Sequence, residues 1–104
     1  MEIKRYNIQY LNSFSEELEE ILNYISHILK NEKAANTLLN NIIVAINKRS
    51  ENPKSFEKYK SKKILKYEWY RIYIGNFTIF YTVKEYKMIV AHIFYSARNI
   101  DKLI

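Results

Sequence analysis

The sequence contains no cysteine, a single glycine and a single proline among its 104 residues. Without cysteine there is no disulfide, no thiolate metal site and no cysteine nucleophile, which fits a protein of the reducing cytoplasm. The scarcity of glycine and proline leaves no flexible linker or low-complexity segment. No apolar run approaches the roughly 20 residues of a membrane span, and the first residues lack the apolar core of a signal peptide. We therefore expect a cytoplasmic protein without a membrane segment.

The composition is sufficient for one hydrophobic core. Apolar residues make up 48% of the sequence and aromatic residues 15%, with ten tyrosines against five phenylalanines. Tyrosine can cover a sheet while offering its hydroxyl to water or a partner. A chain of this length suits a single domain, so we assign residues 1–104 to one domain.

The net charge of +6 is concentrated in one short segment. Residues 54–71 carry seven basic and two acidic side chains, whereas residues 1–53 carry six basic and seven acidic ones. A local basic patch indicates a polyanion or an acidic protein as partner, and a solvated lysine-rich loop is the alternative interpretation. The candidate phosphate-binding residues of this segment are Lys60, Lys62, Lys63 and Lys66.

The first half of the sequence predicts a strand followed by two helices. Residues 3–10 alternate loosely between apolar and polar side chains, which indicates a strand. Ser13 and Glu16 have the spacing of a capping box, and the helix dipole would favour glutamates in the first turns. Apolar residues then recur every three or four positions in two runs, which are separated near Asn31 and ended by Pro53. This pattern predicts two amphipathic helices in an antiparallel hairpin.

The last third of the sequence predicts an antiparallel meander over residues 70–98. Three runs rich in β-branched and aromatic residues are separated by Gly75-Asn76, which suits a type II′ turn, and by residues 84–87. The final run, residues 88–95, is apolar on both faces and is expected at the centre of the sheet. A helix pair on one face of this sheet gives a two-layer α+β domain whose other face is open.

This order of elements resembles the RelE/ParE superfamily of toxins from bacterial type II toxin–antitoxin systems. The helical hairpin resembles that of ParE-like members at residues 23–25, 34–35 and 46–53. Residues 70–72 with 75–81 are similar to a strand pair of the superfamily, and residues 93–99 are similar to its closing motif. Thr78 stands where many members have an arginine, while Tyr95 and Asn99 stand where many have histidine and aspartate.

The resemblance implies a RelE-like fold and a growth-inhibiting toxin without a cofactor or metal. A cognate antitoxin, through an acidic or partly disordered segment, would cover the open sheet face and contact Arg71, Tyr81 and Arg98. Without the antitoxin, the same face could pair two copies as a homodimer. ParE-like members poison DNA gyrase without being nucleases, whereas RelE-like members cleave messenger RNA on the ribosome.

A nuclease would need a base for the 2′-OH proton, cations around the phosphorane and an acid for the leaving oxygen. Arg71 and Arg98 could supply the cations and Tyr95 the acid, with a lysine of the basic segment as base. These three residues are the candidate catalytic set. In the alternative interpretation, Arg71 pairs with Glu68 and Arg98 pairs with Asp101.

A ParE-like toxin that binds a protein target is the favoured hypothesis. It rests on the hairpin pattern, on Thr78 and on the lack of a clear acid–base set. Strand parity places His92 on the sheet face opposite Tyr95, so we expect His92 in or near the core. The alternatives are a ribosome-dependent messenger-RNA endonuclease and a non-toxic relative that only binds an antitoxin.

Overall fold

The computed structural model describes residues 5–61 and 67–98. The elements are a strand, two helices and three strands: β1 (Asn7–Tyr10), α1 (Asn12–Asn23), α2 (Glu32–Arg49), β2 (Tyr70–Ile74), β3 (Phe77–Lys84) and β4 (Lys87–Tyr95). A π-helical turn, Tyr24–Ile28, follows α1 directly. The predicted order is confirmed. The sequence also predicts a short strand around Ile64 and Leu65 and a helical turn after Arg98, and both of these lie outside the described residues.

The four strands form one sheet in the order β1-β4-β3-β2. β1 is parallel to β4, and the other two pairs are antiparallel. Gly75 begins the turn between β2 and β3 with a φ of +54°, the positive value that the first central position of a type II′ turn requires. Because β4 lies between β1 and β3, the prediction that it is a central strand is confirmed.

Both helices pack on one face of the sheet, as a two-layer α+β domain requires. Phe14 of α1 and Ile42 and Ile46 of α2 are buried against side chains of β2, β3 and β4. Burying an aliphatic or phenyl side chain contributes about 1.5–3 kcal/mol, so this layer is a main source of stability. No helix in the described part of the chain has the length and apolar character to cross a membrane.

The apolar stripe predicted for the first helix is only partly used. Ile21 packs against the core, but Ile28 and Leu29 are 68% and 56% exposed. The π-helical turn adds a residue to the helical repeat and so rotates the positions that follow it away from the stripe.

The sheet face away from the helices is less open than the sequence predicted. Trp69, Phe80, Ala91 and Phe94 form a second buried cluster there, and Tyr59 packs against it. The Tyr59 ring lies edge-on to Phe80 with 5.4 Å between ring centroids. The centre of this face is therefore core, and its exposed part lies towards β2 and the end of β4.

A bulge at Ala91 changes which side chains of β4 share a face. Val90 pairs with Tyr81 and His92 pairs with Phe80, so Ala91 is the extra residue of the ladder. The interpretation of β4 as one uninterrupted alternation is therefore wrong. After the bulge, His92 does not follow Val90 into the helix-side core, and its ring lies 6.0 Å from that of Trp69 in the second cluster.

Side chains of α1 complete the edge of β4 beyond the end of β1. Ser13 Oγ donates to the carbonyl oxygen of Ala91 at 2.6 Å, and the backbone N–H of Ile93 donates to a carboxylate oxygen of Glu17 at 3.1 Å. These bonds replace the partners that a longer β1 would provide, because a buried backbone group without a partner is costly.

The predicted capping box is wrong because Ser13 bonds to β4 and does not cap the helix. α1 begins at Asn12 with Leu11 as its N-cap, and no side chain caps it. Ser13 lies inside the helix, and its hydroxyl donates a hydrogen bond to the Ala91 carbonyl oxygen of β4. The first turn contains no acidic residue, so the dipole does not account for the glutamates that follow.

Candidate functional site

Arg71 lies on the exposed part of the sheet face, on the edge strand β2. Its guanidinium carbon is 5.1 Å from the ring centroid of Tyr59 and 5.5 Å from that of Tyr73. Glu68, the carboxylate that sequence reasoning offered as its partner, pairs with Lys58 at 3.0 Å. Among the described residues Arg71 makes no ion pair, so its charge is available to a ligand.

Tyr95 and Arg98 line a cleft between α1 and the end of β4. The cleft has a volume of about 380 Å³ and an apolar floor that includes Ile93 and Phe94, with Glu17 and Glu20 on the α1 wall. The Arg98 guanidinium lies over the Phe94 ring at 5.8 Å and pairs with no carboxylate of the described residues. Asp101, the other suggested partner, lies outside them.

The structure does not bring the three candidate catalytic residues together. Tyr95 turns to the helix side of the sheet, where its ring lies 4.6 Å from that of Phe77 in the main core. Arg71 lies opposite Phe80 in the register of β2 and β3, on the face of the second cluster. Its side chain does not line the cleft. The predicted separation of His92 and Tyr95 onto opposite faces is confirmed.

Tyr81 is a core residue, which contradicts its prediction as an antitoxin contact. It is 0% exposed, so no atom of its side chain reaches a partner on the surface. Its hydroxyl donates to the Pro53 carbonyl oxygen at 2.7 Å and accepts from Arg49 Nη1 at 2.9 Å. Burial raises the pKa of Tyr81, and the nearby Arg49 partly offsets that increase. The residue joins α2 and the following loop to β3.

The basic segment is described only in part. Lys60 is exposed and lies 4.0 Å from Glu57, while Lys62, Lys63 and Lys66 lie outside the described residues. A hydrogen bond to Glu68 raises the pKa of Lys58, which keeps the side chain protonated and so leaves less of the neutral amine that a general base requires. Phosphate binding by this segment stays a prediction.

Glu17 and His92 form a pair that the sequence analysis missed. His92 Nδ1 is 3.2 Å and 3.1 Å from the two carboxylate oxygens of Glu17. A carboxylate only accepts, so Nδ1 carries the hydrogen and Nε2 of the neutral ring is left as an acceptor. The imidazole stacks on Phe94 with 5.0 Å between ring centroids, the same ring that Arg98 covers. His92 and Arg98 therefore share a contact with the Phe94 ring.

The two partners are 75 residues apart in sequence, which explains why they were missed. The sequence carries no direct signal for the pair. In the structure β1 is much shorter than β4, which leaves half an edge of β4 without strand partners, and Ser13 and Glu17, four residues apart on α1, supply them. In the described part of the chain, no group of three or more histidine or acidic side chains is placed to hold a metal ion.

Solved structures share this two-layer α+β fold. The toxin–antitoxin structure of the chromosomal ParDE system from P. aeruginosa matches with a TM-score of 0.70 and 11% identity, covering 88% of this chain and 96% of that one. The solution structure of HP0894, a conserved hypothetical protein from Helicobacter pylori, matches with a TM-score of 0.59 and 16% identity, covering 89% and 97%. At these identities the likeness concerns the fold alone. No curated protein sequence matches the chain.

The family follows from the sequence itself. Residues 8–100 match the family model of the ParE toxin of the type II toxin–antitoxin system parDE. The chain therefore belongs to the ParE toxin family, within the RelE/ParE superfamily.

Proposed function

We propose that this toxin inhibits growth by binding a protein target such as DNA gyrase, and that a cognate antitoxin neutralises it. The observation that carries the first part is the separation of the candidate catalytic residues. Tyr95 contacts the helix-side core at Phe77, whereas Arg71 stands over Tyr59 and Tyr73 on the other side of the sheet. A side chain set divided between two faces suits binding better than cleavage of one phosphodiester, since general acid catalysis needs contact with the reacting group.

Arg71 and Arg98 support the proposal of an antitoxin. Each guanidinium rests on an aromatic ring, and neither has a carboxylate partner among residues 5–61 and 67–98. A guanidinium grips a carboxylate through two parallel hydrogen bonds, so an acidic segment that reaches both arginines gains geometric specificity. Tyr81 has no place in this surface because it is buried.

The experiment is induction of the chain alone in bacteria, followed by mapping of DNA ends covalently linked to gyrase. We expect such ends to accumulate as growth stops, and expression of the cognate antitoxin to restore growth. Arrested growth without gyrase-linked ends would contradict the gyrase target. Unimpaired growth at confirmed expression would leave only the non-toxic, antitoxin-binding relative.

Cleavage of messenger RNA is a second candidate function, favoured by the Glu17–His92 pair, whose imidazole contacts the same Phe94 ring as Arg98. In this mechanism Nε2 of His92 takes the 2′-OH proton and the 2′-oxygen attacks phosphorus, while Arg98 stabilises the charged phosphorane. The bond to the 5′-oxygen then breaks, and the imidazolium returns the proton to that leaving oxygen. The matched test compares His92→Asn with His27→Asn, because His27 is exposed and its Nδ1 lies 3.3 Å from the Asn23 carbonyl oxygen, away from Phe94. Codon-phased transcript ends that disappear with His92→Asn alone would support this candidate. Intact transcripts during growth arrest would exclude it.

A further inference from the structure

The outer edge of β2 carries a stack of three side chains, Tyr59, Arg71 and Tyr73, which we call the Arg71 stack. The Arg71 guanidinium carbon lies 5.1 Å from one ring centroid and 5.5 Å from the other. Cation–π contacts of this kind hold a guanidinium in place without neutralising its charge. Tyr73 is 63% exposed, so a face of its ring is open to a ligand.

Rigid elements hold the Arg71 stack in place. The Arg71 carbonyl oxygen accepts a hydrogen bond from Arg49 Nη1 of α2 at 2.8 Å. The Tyr59 ring packs edge-on against the fully buried Phe80, and its backbone N–H donates to the Trp69 carbonyl oxygen at 2.6 Å. A ligand that binds here therefore loses little free energy in ordering the protein.

The charge of the sequence segment that leads into β2 indicates a polyanion as ligand. Residues 54–71, which run into β2, carry seven of the 17 basic side chains and only two acidic ones. Lys60 is highly exposed. An exposed tyrosine ring and a guanidinium beside it are what an unpaired base and its phosphate require, and a basic sequence segment attracts the following phosphates.

We propose that the Arg71 stack binds single-stranded nucleic acid. One unpaired base lies on the open face of Tyr73, and Arg71 holds an adjacent phosphate through two N–H donors. A duplex offers its phosphates but not its base faces, so single strands are preferred. The inference goes beyond the proposed function, because it requires neither gyrase nor an antitoxin.

The test is fluorescence anisotropy with labelled DNA and RNA strands of about 12 nucleotides, and with the corresponding duplex. Base stacking on an aromatic side chain is worth about 1–3 kcal/mol, so Tyr73→Ala should weaken single-strand binding roughly tenfold. Tyr73→Phe keeps the ring and should bind like the wild type. Arg71→Ala should weaken binding and lower the slope of log affinity against log salt by about one. Arg71→Lys should bind single strands more weakly than the wild type and more tightly than Arg71→Ala.

Two control variants separate the stack from general charge and aromatic content. Tyr86 on the turn between β3 and β4 is similarly exposed, at 59%, so Tyr86→Ala should leave binding unchanged. Lys33→Ala removes a positive charge from exposed α2 and should have little effect. Unequal affinity for the DNA and RNA strands would identify which of them uses the stack.

Three results would overturn the inference. The first is wild-type affinity in both Tyr73→Ala and Arg71→Ala. The second is equal affinity for duplex and single strand, which would mean phosphate attraction alone. The third is binding of polyglutamate, with neither strand bound, which would assign the surface to acidic proteins. Gyrase-linked DNA ends are measured separately, so failure here leaves the proposed function standing.

Discussion

Removal of one hydroxyl, in Tyr81→Phe, should destabilise the fold by about 2 kcal/mol. The hydroxyl donates to Pro53 at 2.7 Å and accepts from Arg49 at 2.9 Å, and the side chain is 0% exposed. A buried hydrogen bond contributes a net of about 1 kcal/mol, and a stranded buried acceptor costs about 1–3 kcal/mol. The ring remains, so no cavity larger than one oxygen atom is formed.

Urea unfolding monitored by circular dichroism measures this change, with Tyr73→Phe as the matched control. Tyr73 is exposed, so loss of its hydroxyl should alter the unfolding free energy by less than about 0.5 kcal/mol. At roughly 4–8 °C per kcal/mol, the melting midpoint of Tyr81→Phe should fall by roughly 10 °C. If Tyr81→Phe is as stable as the control, the hydroxyl does not connect α2, the loop and β3 as described.

Three further predictions concern the edge of β4, the first hairpin turn and alkaline pH. Ser13→Ala should lower the unfolding free energy by about 1 kcal/mol, because it leaves the Ala91 carbonyl oxygen without its donor. Glu16→Gln should leave the unfolding free energy unchanged. A larger loss in Glu16→Gln than in Ser13→Ala would instead support the capping box. Gly75→Ala should cost about 1–2 kcal/mol in the same unfolding assay because of its positive φ alone, since nothing lies within 4 Å of an added Cβ. The folded-state pKa of Tyr81 is raised above 10.0, so wild-type stability should decrease as the pH rises above 10. Tyr81→Phe should decrease less, and equal slopes in pH-dependent unfolding would contradict this assignment.

Local patterns in the sequence predicted the elements and their order. The two helices, the type II′ turn and the central position of β4 follow from apolar spacing and turn residues that act within a few positions of one another. The extra residue at Ala91 and the shortness of β1 are not encoded in such patterns. They depend on how distant strands pair, and they determine which face each later residue of β4 occupies.

The candidate site was harder to predict because its residues meet only through that pairing. Arg71 and Arg98 were identified from residue type, and both retain free charges among the described residues. Tyr81 was predicted on the open face of the sheet but lies in the helix-side core. The sequence does not show which face of β3 the helices cover. His92 was expected near the core and is partly buried, but its partner Glu17 could not be inferred without the edge that α1 completes.

The central claim, a toxin that acts on a protein target, is tested most directly with purified components. The chain is incubated with DNA gyrase, supercoiled plasmid, ATP and a ribosome-bound messenger RNA in one reaction. Our account predicts plasmid that becomes linear on denaturation with gyrase attached at the ends, while the messenger RNA remains intact. Intact plasmid with messenger RNA cut in phase with its codons would contradict it.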